Sequence, residues 1–333
     1  MKIHEKYIKR CIDLAKNGLP SAMPNPSVGA LLLVNDIIIA EGYTSAYGGP
    51  HAEVNAITYA QTHSPELLQK ATLYVTLEPC SHHGKTPPCA DLVVASGIKK
   101  VVIGTTDPHA KVAGNGIKKL MEAGIDVTVG VLESQCYEAN KRFFTYHEKK
   151  RPYILLKWAE TLDGYIAPAH RDKKAPVWIT NLYARQLVHK WRSEEQAILV
   201  GANTVLADNP SLTTRDWEGK SPLRVVLDKS DTIPKDAQVF NEQAATIVIK
   251  SQDPEEIGSI LYKKEVQSII IEGGAKTLQR FIDTGNWDEA RVFTGKTTFG
   301  NGTKAPVFPK QPTSSITQDI KGDILTTYKN KTT

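Results

Sequence analysis

Apolar side chains at Tyr7, Ile8, Cys11, Ile12, Leu14 and Ala15 recur with the period of a helix that buries one face, which predicts a helix over residues 4–17 and places Cys11 in a core. The period then shortens. Pro24-Asn25-Pro26 forces an extended approach to Leu31-Leu32-Leu33-Val34, a strand-like run, and Asn35-Asp36 marks the turn into a second strand over residues 37–40. A helix begins at His51 and continues through Val54, Ala56, Ile57 and Ala60, with Glu53 in its first turn. Residues 71–76, rich in β-branched side chains, predict a strand that ends at Glu78-Pro79-Cys80, and Cys89 opens the next helix. A strand over residues 101–104, a glycine-punctuated helix and a strand over 127–129 complete an alternating α/β unit that closes near residue 147.

A fresh alternation starts beyond the basic stretch Lys149-Lys150-Arg151. A strand runs from Tyr153 through Lys157 and a turn follows at Leu162-Asp163-Gly164; Trp178-Ile179-Thr180-Asn181 caps a helix that reaches about Arg192. The strand over residues 197–201 gives way to Asn203-Thr204-Val205-Leu206-Ala207-Asp208-Asn209-Pro210, which reads as a polar loop at a ligand-binding edge. Later, Ser268-Ile269-Ile270-Ile271 is a buried-type strand that runs through Glu272 into Gly273-Gly274 and a helix, whose free N–H groups can cradle a pyrophosphate. No G-x-G-x-x-G accompanies it, so the usual dinucleotide fingerprint is absent. The pattern therefore predicts two α/β domains, residues 1–147 and 148–333.

Composition narrows the setting. At 333 residues the chain is long for one core, in line with two domains. A net charge of +5 with scattered Lys and Arg leaves no nucleic-acid footprint, yet suits a small phosphorylated substrate. The first residues lack the apolar run of a signal peptide, and no stretch approaches 18 uncharged apolar residues, so neither export nor membrane association is expected. Four cysteines, unevenly spread, do not make a disulfide framework and point to a reducing, cytoplasmic setting in which thiolates can hold a metal. Whether the chain forms a homo-oligomer stays open.

The candidate chemistry concentrates between His51 and Cys89. One imidazole (His51) and two thiolates (Cys80, Cys89) supply three ligands for a tetrahedral zinc ion and leave the fourth position to water, as catalytic zinc sites do. Zinc lowers the pKa of bound water to about 7, and Glu53, two residues after His51, is placed to move that water's proton rather than to bind the metal. H-x-E followed by P-C and a second cysteine is the pattern of zinc-dependent nucleobase deaminases, although eight residues separate Cys80 from Cys89 where that pattern has two. Within those eight, His82 can contact the base or ribose and Lys85 a substrate phosphate, or both belong to a solvated loop. Asn25 either bonds a substrate at the mouth of its strand or serves the turn.

His51-Ala52-Glu53 together with the run from Thr76-Leu77-Glu78-Pro79-Cys80 to Pro87-Pro88-Cys89 resembles the deaminase domain of the bifunctional riboflavin-biosynthesis deaminase/reductases. Leu156-Lys157, Thr161-Leu162-Asp163-Gly164, Thr204 through Pro210 with Leu212 and Arg215, and Glu272-Gly273-Gly274 resemble the reductase half of the same family. The resemblance implies a cytidine-deaminase-like three-layer α/β domain followed by a dihydrofolate-reductase-like α/β domain. It implies zinc on His51, Cys80 and Cys89, with Glu53 as proton shuttle and NADPH as cofactor. The implied substrate is a diaminopyrimidinone bearing ribose 5-phosphate, deaminated to an aminouracil and then reduced from ribosyl to ribityl. Residue by residue, Ala159, Trp178, Thr204, Asp208 and Gly274 fall on cofactor positions, and Arg192, Leu212, Arg215 and Glu272 on substrate positions, with Lys157 near the reacting ribose. One departure stands out: the stretch 169–177 is longer than usual, and Pro176 stands where the family commonly has a serine that touches substrate. A deaminase with a non-catalytic second domain, or a zinc-containing regulator that binds nucleotides without turnover, remain the alternatives.

Overall fold

In the computed structural model, which describes residues 2–82, 87–108, 114–171, 174–309 and 314–330, the chain divides into two compact units, Met1–Lys149 and Lys150–Thr333. The first opens with α1 (Lys2–Ala15), which starts slightly earlier than the apolar period predicts and also ends earlier, where a 3-10 turn takes over at Lys16. It continues through β1 (Gly29–Val34), β2 (Ile37–Tyr43), α2 (Ala52–His63), β3 (Thr72–Leu77), α3 (Cys89–Ala95), β4 (Lys100–Thr105), α4 (Asn115–Glu122), β5 (Asp126–Val129), α5 (Glu133–Ala139) and α6 (Lys141–Lys149).

Its five strands lie in the order β2-β1-β3-β4-β5. The β1 strand pairs antiparallel with both β2 and β3, whereas β3, β4 and β5 run parallel. Because strand side chains alternate between faces, β1 sends Ala30, Leu32 and Val34 into a core shared with α2, α3 and α4, and Leu31 and Leu33 into a second core shared with α1 and α5. A strand buried on both sides must be apolar at every position, which accounts for the unbroken Leu31-Leu32-Leu33-Val34 run. Cys11 lies fully buried in the second core.

The second unit comprises β6 (Tyr153–Glu160), β7 (Tyr165–Pro168), α7 (Leu182–Glu194), β8 (Ala197–Gly201), α8 (Ala202–Asp208), β9 (Leu223–Leu227), β10 (Thr246–Ile249), α9 (Pro254–Lys263), β11 (Ser268–Gly273), α10 (Ala275–Asp283), β12 (Glu289–Thr294), β13 (Gly302–Lys304), β14 (Ser314–Ile320) and β15 (Asp323–Lys329). Eight strands form one sheet in the order β10-β9-β8-β11-β6-β12-β15-β14, and β13 pairs with β7. From β10 to β12 every pairing is parallel; β15 and β14 add an antiparallel edge. Helices α9 and α10 cover one face, and α7 and α8 the other.

Asn181 caps α7 by accepting hydrogen bonds from the Tyr183 and Ala184 N–H groups. The expected polar loop after β8 is instead α8: Gly201 at the N-cap lets the chain turn straight from strand into helix, and burial of Val205 fixes that turn against the sheet. Asn209 then ends it in the left-handed region, with φ of 41°. Among the described residues no helix is long and apolar enough to cross a membrane.

Candidate active sites

The first unit gathers its chemistry at the C-terminal end of β3. His51 is the N-cap of α2, just outside the helix rather than its first residue, and Glu53 sits in the first turn. Cys80 follows β3, and Cys89 is the first residue of α3. The His51 Nδ1 atom lies 3.7 Å from Cys80 Sγ and 3.3 Å from Cys89 Sγ, and all three donor atoms fall within 4.8 Å of one another. Zinc–sulfur and zinc–nitrogen bonds of about 2.3 and 2.05 Å at a tetrahedral angle place such donors roughly 3.6 Å apart, so the spacing fits a zinc ion. The electrostatics agree. A hydrogen bond from Cys89 is the main influence lowering the Cys80 thiol to about 4, and the same contact raises Cys89, so one proton is shared where a cation would displace it. Burial pushes the Glu53 carboxyl up to about 7; it lies 4% exposed and also bonds Cys89.

Glu78 holds this arrangement from behind. Its buried carboxylate accepts hydrogen bonds from the N–H groups of Asp107 (3.2 Å), Gly114 (3.0 Å), Gly116 (2.9 Å) and Ile117 (3.3 Å), which ties the strand end carrying Pro79 and Cys80 to the start of α4. A Cβ at Gly116 would stand 2.0 Å from the Pro79 carbonyl oxygen, so only glycine permits this approach. The sequence shows Glu78 beside the ligand but not the four donors, which come from 29 to 39 residues away and from no recognisable motif. Asn25 is half-buried in a turn, its N–H bonded to the Ala22 carbonyl, and His82 is exposed; Lys85 lies outside the described residues.

In the second unit a cavity of about 470 Å³ opens at the C-terminal ends of the parallel strands, where open α/β sheets bind ligands. It is lined by Lys157 and Ala159 of β6, Trp178, Arg192 of α7, Thr204 and Asp208 of α8, Leu212, Arg215 and Glu272 of β11. Gly274, the N-cap of α10, adjoins it: a Cβ there would lie 3.1 Å from Thr204 Oγ1. Because Ile271 pairs with Leu156, Glu272 and Lys157 are the next neighbours along β11 and β6, and their charged groups lie 3.7 Å apart. Arg192 closes a two-bonded fork on Glu272, 2.7 Å at both Nε and Nη2, and gives Nη1 to the Thr213 carbonyl at 3.2 Å. Burial alone would raise the Glu272 carboxyl, but the Arg192 and Lys157 charges outweigh it and hold the group at about 2. Lys157 is lowered, by burial first.

Arg215 differs. Its Nη1 meets only hydroxyls, Ser211 Oγ and, at 3.2 Å, Thr213 Oγ1, and no carboxylate pairs with it among the described residues. From the 169–177 stretch, Arg171 pairs with Asp208, and Pro176 lines the cavity. Sequence reasoning missed Arg185, Val188 and His189, which share the Arg192 face of α7 and also line the cavity. Stepping back by helical turns from Arg192 would have found them.

Fold and sites together define a zinc-dependent deaminase domain followed by a reductase domain. A family model for the cytidine and deoxycytidylate deaminase zinc-binding region matches residues 1–105, and one for the RibD C-terminal domain matches residues 152–330. The riboflavin biosynthesis protein RibD of Aquifex aeolicus is 40% identical over 324 residues, spanning 90% of this chain and 89% of that protein. Its Escherichia coli counterpart is 34% identical over 333 residues, spanning 89% of each. The crystal structure of a diaminohydroxyphosphoribosylaminopyrimidine deaminase/5-amino-6-(5-phosphoribosylamino)uracil reductase from Thermotoga maritima superposes with a TM-score of 0.90 at 40% identity, over 99% of both chains. The chain belongs to the RibD family of bifunctional riboflavin-biosynthesis enzymes.

Proposed function

We propose that the first unit deaminates a diaminopyrimidinone carrying ribose 5-phosphate and that the second reduces the ribosyl chain of the product to ribityl with NADPH. The observation that carries this reading is the presence, in one chain, of a His51/Cys80/Cys89 donor set beside a buried carboxyl and of a cationic cavity at the strand ends of the second unit. The same phosphorylated skeleton serves both steps, in keeping with the family's names for its members.

His51, Cys80 and Cys89 would hold the zinc ion, which would supply Lewis acidity and make a water molecule easier to deprotonate. The protein's own part is proton transfer. Glu53, out of bulk water and with a carboxyl near 7, is poised to accept a proton from the attacking water and return it to the exocyclic nitrogen, which leaves as ammonia. Water replaces the amine, and no redox change accompanies the step.

In the second unit NADPH supplies hydride. Trp178, 57% exposed at the cavity edge, offers a flat face for a ring, and the space a Cβ at Gly274 would fill, beside Thr204, admits close backbone approach. Ala159 and Asp208 complete the cofactor wall, with Arg171 sharing Asp208. Arg192 is committed to Glu272, so this buried pair shapes the substrate pocket next to Leu212. Arg215, with hydroxyl partners alone, is the cation with capacity left for a phosphate monoester. Lys157 is held beside Glu272 where an ammonium proton can pass to the ribose ring oxygen as the ring opens. A coupled assay following ammonia release and NADPH oxidation on one sample tests the reading. Both signals are expected in sequence; ammonia without subsequent NADPH consumption would leave only the deaminase.

A further inference from the structure

His189 has no part in the reading so far, yet it is the least exposed ionisable side chain on the cavity face of α7, at 2%. Its Nδ1 atom accepts a hydrogen bond from the Arg215 main-chain N–H at 3.1 Å, and its Nε2 lies 3.4 Å from Asp216 Oδ2. Asp216 is itself anchored by Arg185 Nε at 2.6 Å, and the Arg185 guanidinium stacks 5.0 Å from the Trp178 ring centre. Since Nδ1 accepts, the single proton of a neutral imidazole must sit on Nε2 and point at Asp216. Burial, followed by the Arg192 and Arg215 charges, lowers the ring's pKa to about 4, against the opposing pull of Asp216 and Glu272, so the neutral form is the resident one at neutral pH.

The segment from Ser211 to Arg215 is thereby tied to α7 at two points, through Arg192 to the Thr213 carbonyl and through His189 to the Arg215 N–H. We propose that His189 is a positioning residue for substrate binding, which fixes the main chain of Arg215 so that its guanidinium is presented to the substrate's phosphate. The proposal rests on the assignment of Arg215 to that phosphate. Asp216 and Arg185 set the orientation of the ring and extend the same framework to Trp178, at the cofactor edge.

The test uses the full-length chain loaded with zinc, the deaminated phosphorylated pyrimidine as substrate, and NADPH. His189→Leu removes both ring contacts and is expected to raise KM for the pyrimidine at least about tenfold, the scale of losing one buried hydrogen bond, while the Kd for NADPH and the deaminase rate hold. Asparagine places an acceptor near the Nδ1 position and glutamine a donor near Nε2, so His189→Asn should recover most of the wild-type KM and His189→Gln little of it. That order discriminates positioning from bulk packing, and the two polar variants carry the test if His189→Leu does not fold. Combined with Arg215→Ala, His189→Leu should add no further KM defect, because the two residues act through one group. Equal KM values for the asparagine and glutamine variants, or additive defects with Arg215→Ala, would overturn the positioning role while leaving Arg215 its phosphate. An unchanged KM in Arg215→Ala alone would instead overturn the phosphate assignment, and this role for His189 with it.

Discussion

Glu272 offers a quantitative test of how the second cavity is held together. Its side chain is 8% exposed and faces Arg192 across a two-bonded fork and Lys157 at 3.7 Å. Glu272→Gln keeps the shape and deletes the charge, leaving two buried cations facing each other. The carboxyl drops from 4.5 to about 2 on folding; at about 1.36 kcal/mol per pKa unit this corresponds to about 3 kcal/mol, in the range of about 3–5 kcal/mol for breaking a buried ion pair. All five tryptophans of the chain, Trp158, Trp178, Trp191, Trp217 and Trp287, lie in the second unit, so urea unfolding followed by tryptophan fluorescence reports that unit alone. At pH 7 the variant should be less stable by about 3 kcal/mol. Because the folded pKa is depressed, the carboxylate's contribution is complete above about pH 4.5 and fades as pH falls toward 2, so the gap between the two proteins should narrow between pH 5 and pH 3. A gap under about 1 kcal/mol at pH 7, or one that stays constant as the pH falls, would refute the pairing argument.

Three further outcomes are expected in the first unit. Metal analysis of Cys80→Ser should show most of the zinc lost, and full occupancy would remove Cys80 from the ligand set. Glu53→Gln should keep its zinc and lose deamination by roughly 100- to 10,000-fold, with reduction of a pre-deaminated substrate intact; unchanged ammonia release would end the proton-shuttle role. Glu78→Gln turns two of the four N–H contacts into clashes with an amide donor, so zinc should leave this variant faster under chelator challenge than wild type, whereas equal release rates would show that the strut does not position Cys80.

Much of this protein was written into local sequence. The apolar run at Leu31-Leu32-Leu33-Val34 read as a strand, though only the structure showed both of its faces covered, and Cys11 read as core because one helical period placed it there. His51, Glu53, Cys80 and Cys89 were legible as a set because metal chemistry restricts donor types and because each donor sits at the end of an element whose pattern is clear. What only the tertiary structure decided has a common cause: it depends on residues distant in sequence that meet without a motif. The α8 helix looked like a loop, since its seven residues hold in place through one buried valine and a strand that feeds directly into them. The four N–H groups on Glu78 are main-chain donors, invisible in any side-chain pattern. The division of labour between two arginines was equally hidden: Arg192 and Arg215 read alike as substrate contacts, and only the packing of α7 against β11, which brings Glu272 to Arg192, commits one to an ion pair and leaves the other with hydroxyl partners. Local pattern fixes which element a residue joins, whereas a side chain's partner is set by strand order and register, which depend on the whole chain.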